Sequence, residues 1–165
     1  MTISEPDSFQ SRFLKLGAEK IAWLAGLLQG EAYFHMDKRV RAKSENYTPV
    51  PSTPQIKLEM IQKDLMEHVG ECLEEDVVIV VRKTTADNTV YKVTVTSRDK
   101  VETILKSLLP YIIGTKTRTE IEKLLEVCDE YHKWKQEGGK SKAAKLANLA
   151  SQKAKRKEKE KEKEN

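Results

Sequence analysis

A chain of 165 residues with a formal net charge of +4 fits one domain, or one domain plus a tail. The charge is uneven: residues 141–165 hold nine Lys or Arg and four Glu, so residues 1–140 carry a net −1, and a nucleic-acid partner must be argued from charge placement rather than totals. No stretch approaches about 18 apolar residues and no basic-then-apolar leader opens the chain, so the expectation is an intracellular protein without a membrane partner. Cys72 and Cys128 lack C-x-x-C spacing, which gives no basis for a zinc site and places both on packed helical faces.

In chain order, residues 1–16 read as an arm. Residues 18–30 read as a helix whose Trp23, Leu24, Leu27 and Leu28 cover much of its surface, a width that implies contact with the chain's own core and with a partner. Along it Ala22, Gly26 and Gly30 recur every four residues and form one flat stripe. Such a stripe lets a second helix approach until backbones touch, and Glu31 stands at its end. Two such helices side by side bring two carboxylates within reach of shared metal ions, a geometry suited to nuclease chemistry.

Residues 33–41 alternate, with Phe34, Met36, Lys38 and Val40 on one face and Tyr33, His35, Asp37, Arg39 and Arg41 on the other, as in a half-buried strand. Residues 42–52 form a loop. Residues 53–61 alternate again, Ile56, Leu58 and Met60 inward and Gln55, Lys57 and Glu59 outward. A helix is expected over 64–73, a β-forming run over 77–82, a turn at 84–89 and a fourth strand over 90–96. Helices follow over 99–109, ended or kinked by Pro110, and over 117–135. From residue 138 the Lys-, Ala- and Glu-rich tail has no apolar face to bury. The expected organisation is an arm (1–16), a folded domain (17–137) and a basic low-complexity tail (138–165). The expected fold is an α+β, αββαββα-type subunit with a four-stranded antiparallel sheet.

The segment Leu24-Ala25-Gly26-Leu27-Leu28-Gln29-Gly30-Glu31-Ala32 resembles the nine-residue signature of the LAGLIDADG homing endonucleases, in particular the single-motif members that assemble as homodimers. It departs at Gln29, where an Asp often stands, at Gly30, which replaces Ala, and at Ala32, which replaces the usual final Gly. The family's position equivalent to Gln29 is mainly structural, and Gly30 keeps the contact stripe small. Glu31 takes the acidic, metal-binding position. The likeness extends to residues 54–64, where Gln62 matches a position that arranges metal-bound water. It continues through Val90-Tyr91-Lys92-Val93-Thr94-Val95, like the fourth strand, and through Pro110-Tyr111 followed by Lys116-Thr117-Arg118, where Lys116 stands for the family's lysine near the active site. The spacing from Pro110 is one residue longer than in the best-known pattern. Together these features span roughly residues 15–131.

The resemblance implies site-specific hydrolysis of double-stranded DNA at a long, near-palindromic target, with Mg²⁺ and short 3′ overhangs. Such genes commonly sit in group I introns of organelles, phages or microbes, and nothing in the chain chooses a compartment. The chemistry agrees: magnesium takes oxygen ligands and keeps several waters, so Glu31 and its symmetry mate, phosphate oxygens and water complete its shells. Gln62 would orient the attacking water and Lys116 offset charge on the phosphate. The outward sheet residues then read bases: His35, Asp37, Arg39 and Arg41 on one strand, Gln55, Lys57 and Glu59 on the next, with Arg82, Lys83, Lys92 and Thr94 extending the surface. Each good bidentate pair contributes about 1–3 kcal/mol of discrimination. A register slip would invert which of Arg82 and Lys83 faces DNA.

Taken singly these residues have ordinary explanations. Glu31 reads as a helix-end surface carboxylate, the glycines as a local packing device, Gln62 and Lys116 as solvated polar residues. Trp23, Trp134, Tyr91 and Tyr111 read as packing residues, and His35, His68 and His132 have no metal-ligand spacing. Two other functions share the sequence features: a DNA-binding protein that does not cut, and a maturase that binds intron RNA, to which the Lys-rich tail is suited.

Overall fold

Burial alternates along Thr53–Met60: Pro54, Ile56 and Leu58 are buried, while Gln55, Lys57 and Glu59 between them stay half-exposed. That pattern separates a core face from a solvent face, and the remaining strands follow it. The computed structural model describes residues 8–37, 49–81, 89–139 and 149. Its order is α1 (Phe9–Leu14), α2 (Ala18–Glu31), β1 (Ala32–Asp37), β2 (Thr53–Met60), α3 (Lys63–Leu73), β3 (Val78–Val81), β4 (Thr89–Val95), α4 (Arg98–Leu108), a 3₁₀ turn (Leu109–Tyr111) and α5 (Thr115–Gln136). The strands form one antiparallel sheet in the order β1-β2-β4-β3. This is the expected α+β subunit followed by the expected last helix, α5, with α1 as an additional helix ahead of it in the chain.

The register fixes which side chains share a face, because residues directly opposite in an antiparallel pair point the same way. Phe34↔Ile56, Ile56↔Val95 and Leu58↔Val93 lie on the core face. There Ile56, Leu58, Val93 and Val95 meet Leu24 and Leu28 of α2, Met66 and Val69 of α3, Val101, Ile104, Leu105 and Leu108 of α4, and Ile121 and Leu124 of α5 in one cluster. Helical spacing of the apolar residues puts each set on a single stripe. β3 lies at the sheet edge, where Val78, Ile79 and Val81 remain exposed.

The segment expected as an arm contains α1. Phe9 and Phe13, one turn apart, stack at 5.5 Å, and Phe13 is buried in the core. Ser8 caps the helix by accepting from the Ser11 N–H. Arg12 donates to both carboxylate oxygens of Glu74 at 2.6 and 2.8 Å, and Lys100 donates to the Glu74 carbonyl while lying over the Phe9 ring. A six-residue helix shows too little periodicity to read in advance, and these contacts from distant residues hold it.

Two units divide the chain, one of residues 1–37 and 53–128, the other of residues 38–52 and 129–165. In the second, Tyr131 stacks on Trp134 at 5.7 Å, and Trp134 is buried as expected of a packing residue. Among the described residues no helix is long and apolar enough to cross a membrane.

Candidate functional site

Helix α2 buries Ile21, Leu24, Ala25 and Leu28 against the core. The other side carries the small-residue stripe: Ala22 is half-buried, Gly26 and Gly30 are exposed. A Cβ built on either glycine meets nothing within 4 Å, so among the described residues nothing requires those two positions to be glycine. Trp23 lies on this outer side too, 39% exposed and tilted against His68 at 5.4 Å. Trp23, expected as a packing residue, packs against His68 rather than beside the buried Leu24 and Leu28.

Glu31 is the last residue of α2 and is exposed. The chain then passes directly into β1, with Ala32 opposite Leu58. Gln62 lies two residues past the end of β2 and is the N-cap of α3, yet its side chain makes no capping bond. Lys116 is exposed in the first turn of α5, not ahead of the helix as expected, because α5 starts at Thr115. The Gln29 amide oxygen accepts from the backbone N–H groups of Ile113 and Gly114, both at 2.8 Å. This fastens the end of α2 to the turn that leads into Lys116. The register Ala32↔Leu58 sets the exit of β2 toward Gln62 at the same end of the sheet as the end of α2, and the Gln29 bonds fasten the turn ahead of Lys116 to that end of α2. The resemblance implied a structural role for the Gln29 position; its bonding partners, Ile113 and Gly114, were not legible in the sequence.

Arg118 serves the same turn. Its guanidinium donates to the carbonyls of Leu109 and Ile112 at 3.3 and 2.9 Å, which commits one member of the basic Lys116-Thr117-Arg118 group to closing the turn around Pro110.

The outer face of the sheet is mostly polar across β1, β2 and β4, with the apolar Val78, Val80 and Val90 toward β3. Its cross-strand rows are Asp37–Thr53, His35–Gln55, Tyr33–Lys57–Thr94 and Glu59–Lys92–Val78. Tyr33 stacks on His35 at 5.5 Å, and Lys92 Nζ lies 3.3 Å from a Glu59 oxygen. His35, Asp37, Gln55, Lys57, Glu59, Lys92 and Thr94 thus share the face on which the alternation put them. Arg39, Arg41, Arg82, Lys83 and residues 84–88 of the expected turn lie outside the described residues, as does nearly all of the tail, while Thr89, expected in the turn, opens β4.

Among the described residues no group of three or more His, Cys, Asp or Glu gathers as a metal cage. Glu31 offers hard carboxylate oxygens, the donor type that suits magnesium. It is a single such ligand, and the chemistry of its donor suits the ion.

The fold has known counterparts. A group I intron-encoded homing endonuclease, I-CeuI, in complex with DNA matches with a TM-score of 0.55 and 14% identity over 79% of this chain and 69% of that one. I-CvuI, in complex with the I-CreI target and magnesium, with the DNA uncleaved, matches with a TM-score of 0.51 and 17% identity over 79% and 82%. The fold is that of the LAGLIDADG homing endonucleases. The LAGLIDADG homing endonuclease I-LtrWI, bound to target DNA, reaches 26% identity with a TM-score of 0.50, and the match covers 76% of this chain but 42% of that one. No protein-family model and no curated protein matches the sequence.

Proposed function

We propose that this protein is a site-specific, double-strand DNA endonuclease of the single-motif type, acting as a homodimer with Mg²⁺ on a near-palindromic target. The observation that carries the reading is the small-residue stripe of α2. Ala22, Gly26 and Gly30 leave a flat, uncovered helix face that runs directly into the exposed carboxylate of Glu31. Paired about a two-fold axis, two such faces set two Glu31 side chains next to each other and lay two polar sheet faces along one duplex.

In this arrangement each residue has a defined task. Divalent ions, when bound, supply Lewis-acid activation of the attacking water and stabilisation of the leaving oxygen. Glu31 holds the ion and, with its mate, sets the axis on the scissile phosphates. Gln62, its amide free of helix capping, orients the attacking water. Lys116 offsets charge developing on the phosphate, and Gln29 acts as a positioning residue for the turn that presents it. His35, Asp37, Gln55, Lys57, Glu59, Lys92 and Thr94 read base edges in the major groove, joined by Arg39, Arg41, Arg82 and Lys83. The basic tail adds salt-sensitive phosphate contacts.

The test is incubation of the full chain with a plasmid carrying its own intronless insertion site, with and without Mg²⁺. A linear product that requires metal is the expected result. Binding without a cut points instead to a DNA-binding regulator, and preference for intron RNA over duplex DNA to a maturase.

A further inference from the structure

Resting on the reading of the sheet as a DNA-facing surface, we infer that Arg98, a residue of α4 rather than of the sheet, grips a DNA backbone phosphate at the margin of that surface. Arg98 opens α4 one turn before Val101, and Val101, Ile104, Leu105 and Leu108 form the stripe that this helix buries. Helical spacing therefore sets Arg98 on the sheet-facing side of α4 rather than on its solvent side. There its Nη2 donates to Thr53 Oγ1 at 3.0 Å. Thr53 stands opposite Asp37, in the same outward set as Gln55, Lys57 and Glu59. The β2–β4 register, Lys57↔Thr94 and Ile56↔Val95, carried past the end of β4, brings Arg98 level with Thr53. The row thus reads Asp37–Thr53–Arg98, and a helix residue lends its cation to the strand face.

This position does little for the helix itself. A cation in the first turn opposes the helix dipole, which favours acids there, and Asp99 next to it is the residue that suits the dipole. What Arg98 gains is a fixed direction. A guanidinium is a planar fork of five N–H donors, so one bond to a hydroxyl orients it and is compatible with a bidentate contact to phosphate oxygens. Its charge also falls where the surface needs one. Lys92 Nζ stands 3.3 Å from Glu59 in their row. Among the described residues the row of Asp37 takes its cation from Arg98, which offsets a carboxylate that would repel phosphate. That row is the one furthest from Glu31 in the described β1–β2 ladder. Phosphate contacts fix a protein's register on the duplex and carry no sequence information, a task that suits the margin of the sheet rather than its middle.

The experiment is a salt titration of binding by the full-length chain to a duplex carrying its insertion site, in Mg²⁺-free buffer between about 50 and 200 mM KCl. Wild type, Arg98→Gln and Arg98→Lys are compared. Each neutralised phosphate contributes about 0.9 to the slope of log K against log salt, so Arg98→Gln should bind more weakly and flatten the slope by about 0.9 per subunit. Arg98→Lys keeps the charge and should keep the wild-type slope. The loss in Arg98→Gln should be the same on duplexes with substituted bases. A slope unchanged in Arg98→Gln, a slope flattened equally in Arg98→Lys, or a loss confined to some base sequences overturns the inference while leaving DNA recognition intact. Should Arg98→Gln fail to fold, phenylglyoxal labelling of wild-type Arg98 decides the matter: bound duplex should protect the guanidinium, and equal labelling of free and bound protein overturns the contact. Failure of wild type to bind duplex DNA removes the DNA-facing surface itself, and this assignment with it.

Discussion

Gln29 holds the backbone of Gly114: its amide oxygen takes the N–H of that residue and of the preceding Ile113 at 2.8 Å each. One side chain thereby ties the end of the α2 stripe to the first turn of α5, and so relates Glu31 to Lys116 across more than eighty residues of sequence. Gln29→Ala should destabilise the fold by only about 1 kcal/mol, since the freed N–H groups lie near solvent. DNA cleavage should fall well beyond what that loss explains, through a lower kcat at nearly unchanged DNA affinity. Gln29→Glu keeps an acceptor and should recover most of the rate. Equal loss of binding and turnover would show that the residue supports folding alone.

Gly26 and Gly30 separate the needs of the subunit from those of the pair. Because an added Cβ at either position meets nothing within 4 Å, Gly26→Ala should stabilise the isolated helix by up to about 1 kcal/mol. Gly30→Leu should leave the circular dichroism spectrum unchanged and yet shift the protein from dimer to monomer in sedimentation equilibrium. A dimer of undiminished affinity would move the subunit interface elsewhere.

Gly70 behaves in the opposite way. A Cβ there would sit 2.8 Å from the Glu75 carbonyl oxygen and 3.0 Å from the Val77 side chain, where the chain turns out of α3 toward β3. The Glu75 N–H also bonds the Gly70 carbonyl at 3.0 Å, so the backbone has little room to retreat. Gly70→Ala should cost about 1–3 kcal/mol, as overpacking does, measured by urea unfolding. DNA contacts should be unaffected at temperatures where the variant is folded.

Much of this architecture is legible in the sequence. Period-2 alternation in Thr53–Met60 and the helical stripes of α2, α4 and α5 each mark a face that must be buried, and the structure buries those faces. The signature around Glu31 points to the fold because small residues, an acid and a strand must follow in that order. What escaped were features set by contacts between distant residues. The helix α1 depends on Arg12–Glu74 and on burial of Phe13. The structural role of Gln29 was implied by the resemblance, but its partners Ile113 and Gly114 lie more than eighty residues away and leave no local mark. Local pattern records which face is apolar; it does not record which partner comes to meet it.

Burial holds the Cys72 thiol above its ordinary value of 9.0, with Lys20 opposing and Glu71 adding to the shift. The sign follows from linkage: below pH 9.0 the thiol is protonated in both states and its contribution is fully present. Above it the unfolded chain ionises first, so stability falls as pH rises toward the folded-state value. Cys72→Ala should flatten the alkaline limb of a stability-versus-pH curve while lowering the plateau through lost packing. An unchanged alkaline slope would exclude this thiol as its source.

The most direct measurement compares wild type with Glu31→Gln on one duplex target, following binding in Mg²⁺-free buffer and strand scission after Mg²⁺ is added. Glutamine keeps the size and exposure of the side chain while removing the charge that holds a cation. Affinity should stay within a few-fold of wild type as double-strand cleavage disappears. Cleavage by Glu31→Gln at the wild-type rate would contradict a mechanism built on paired carboxylates at the end of α2.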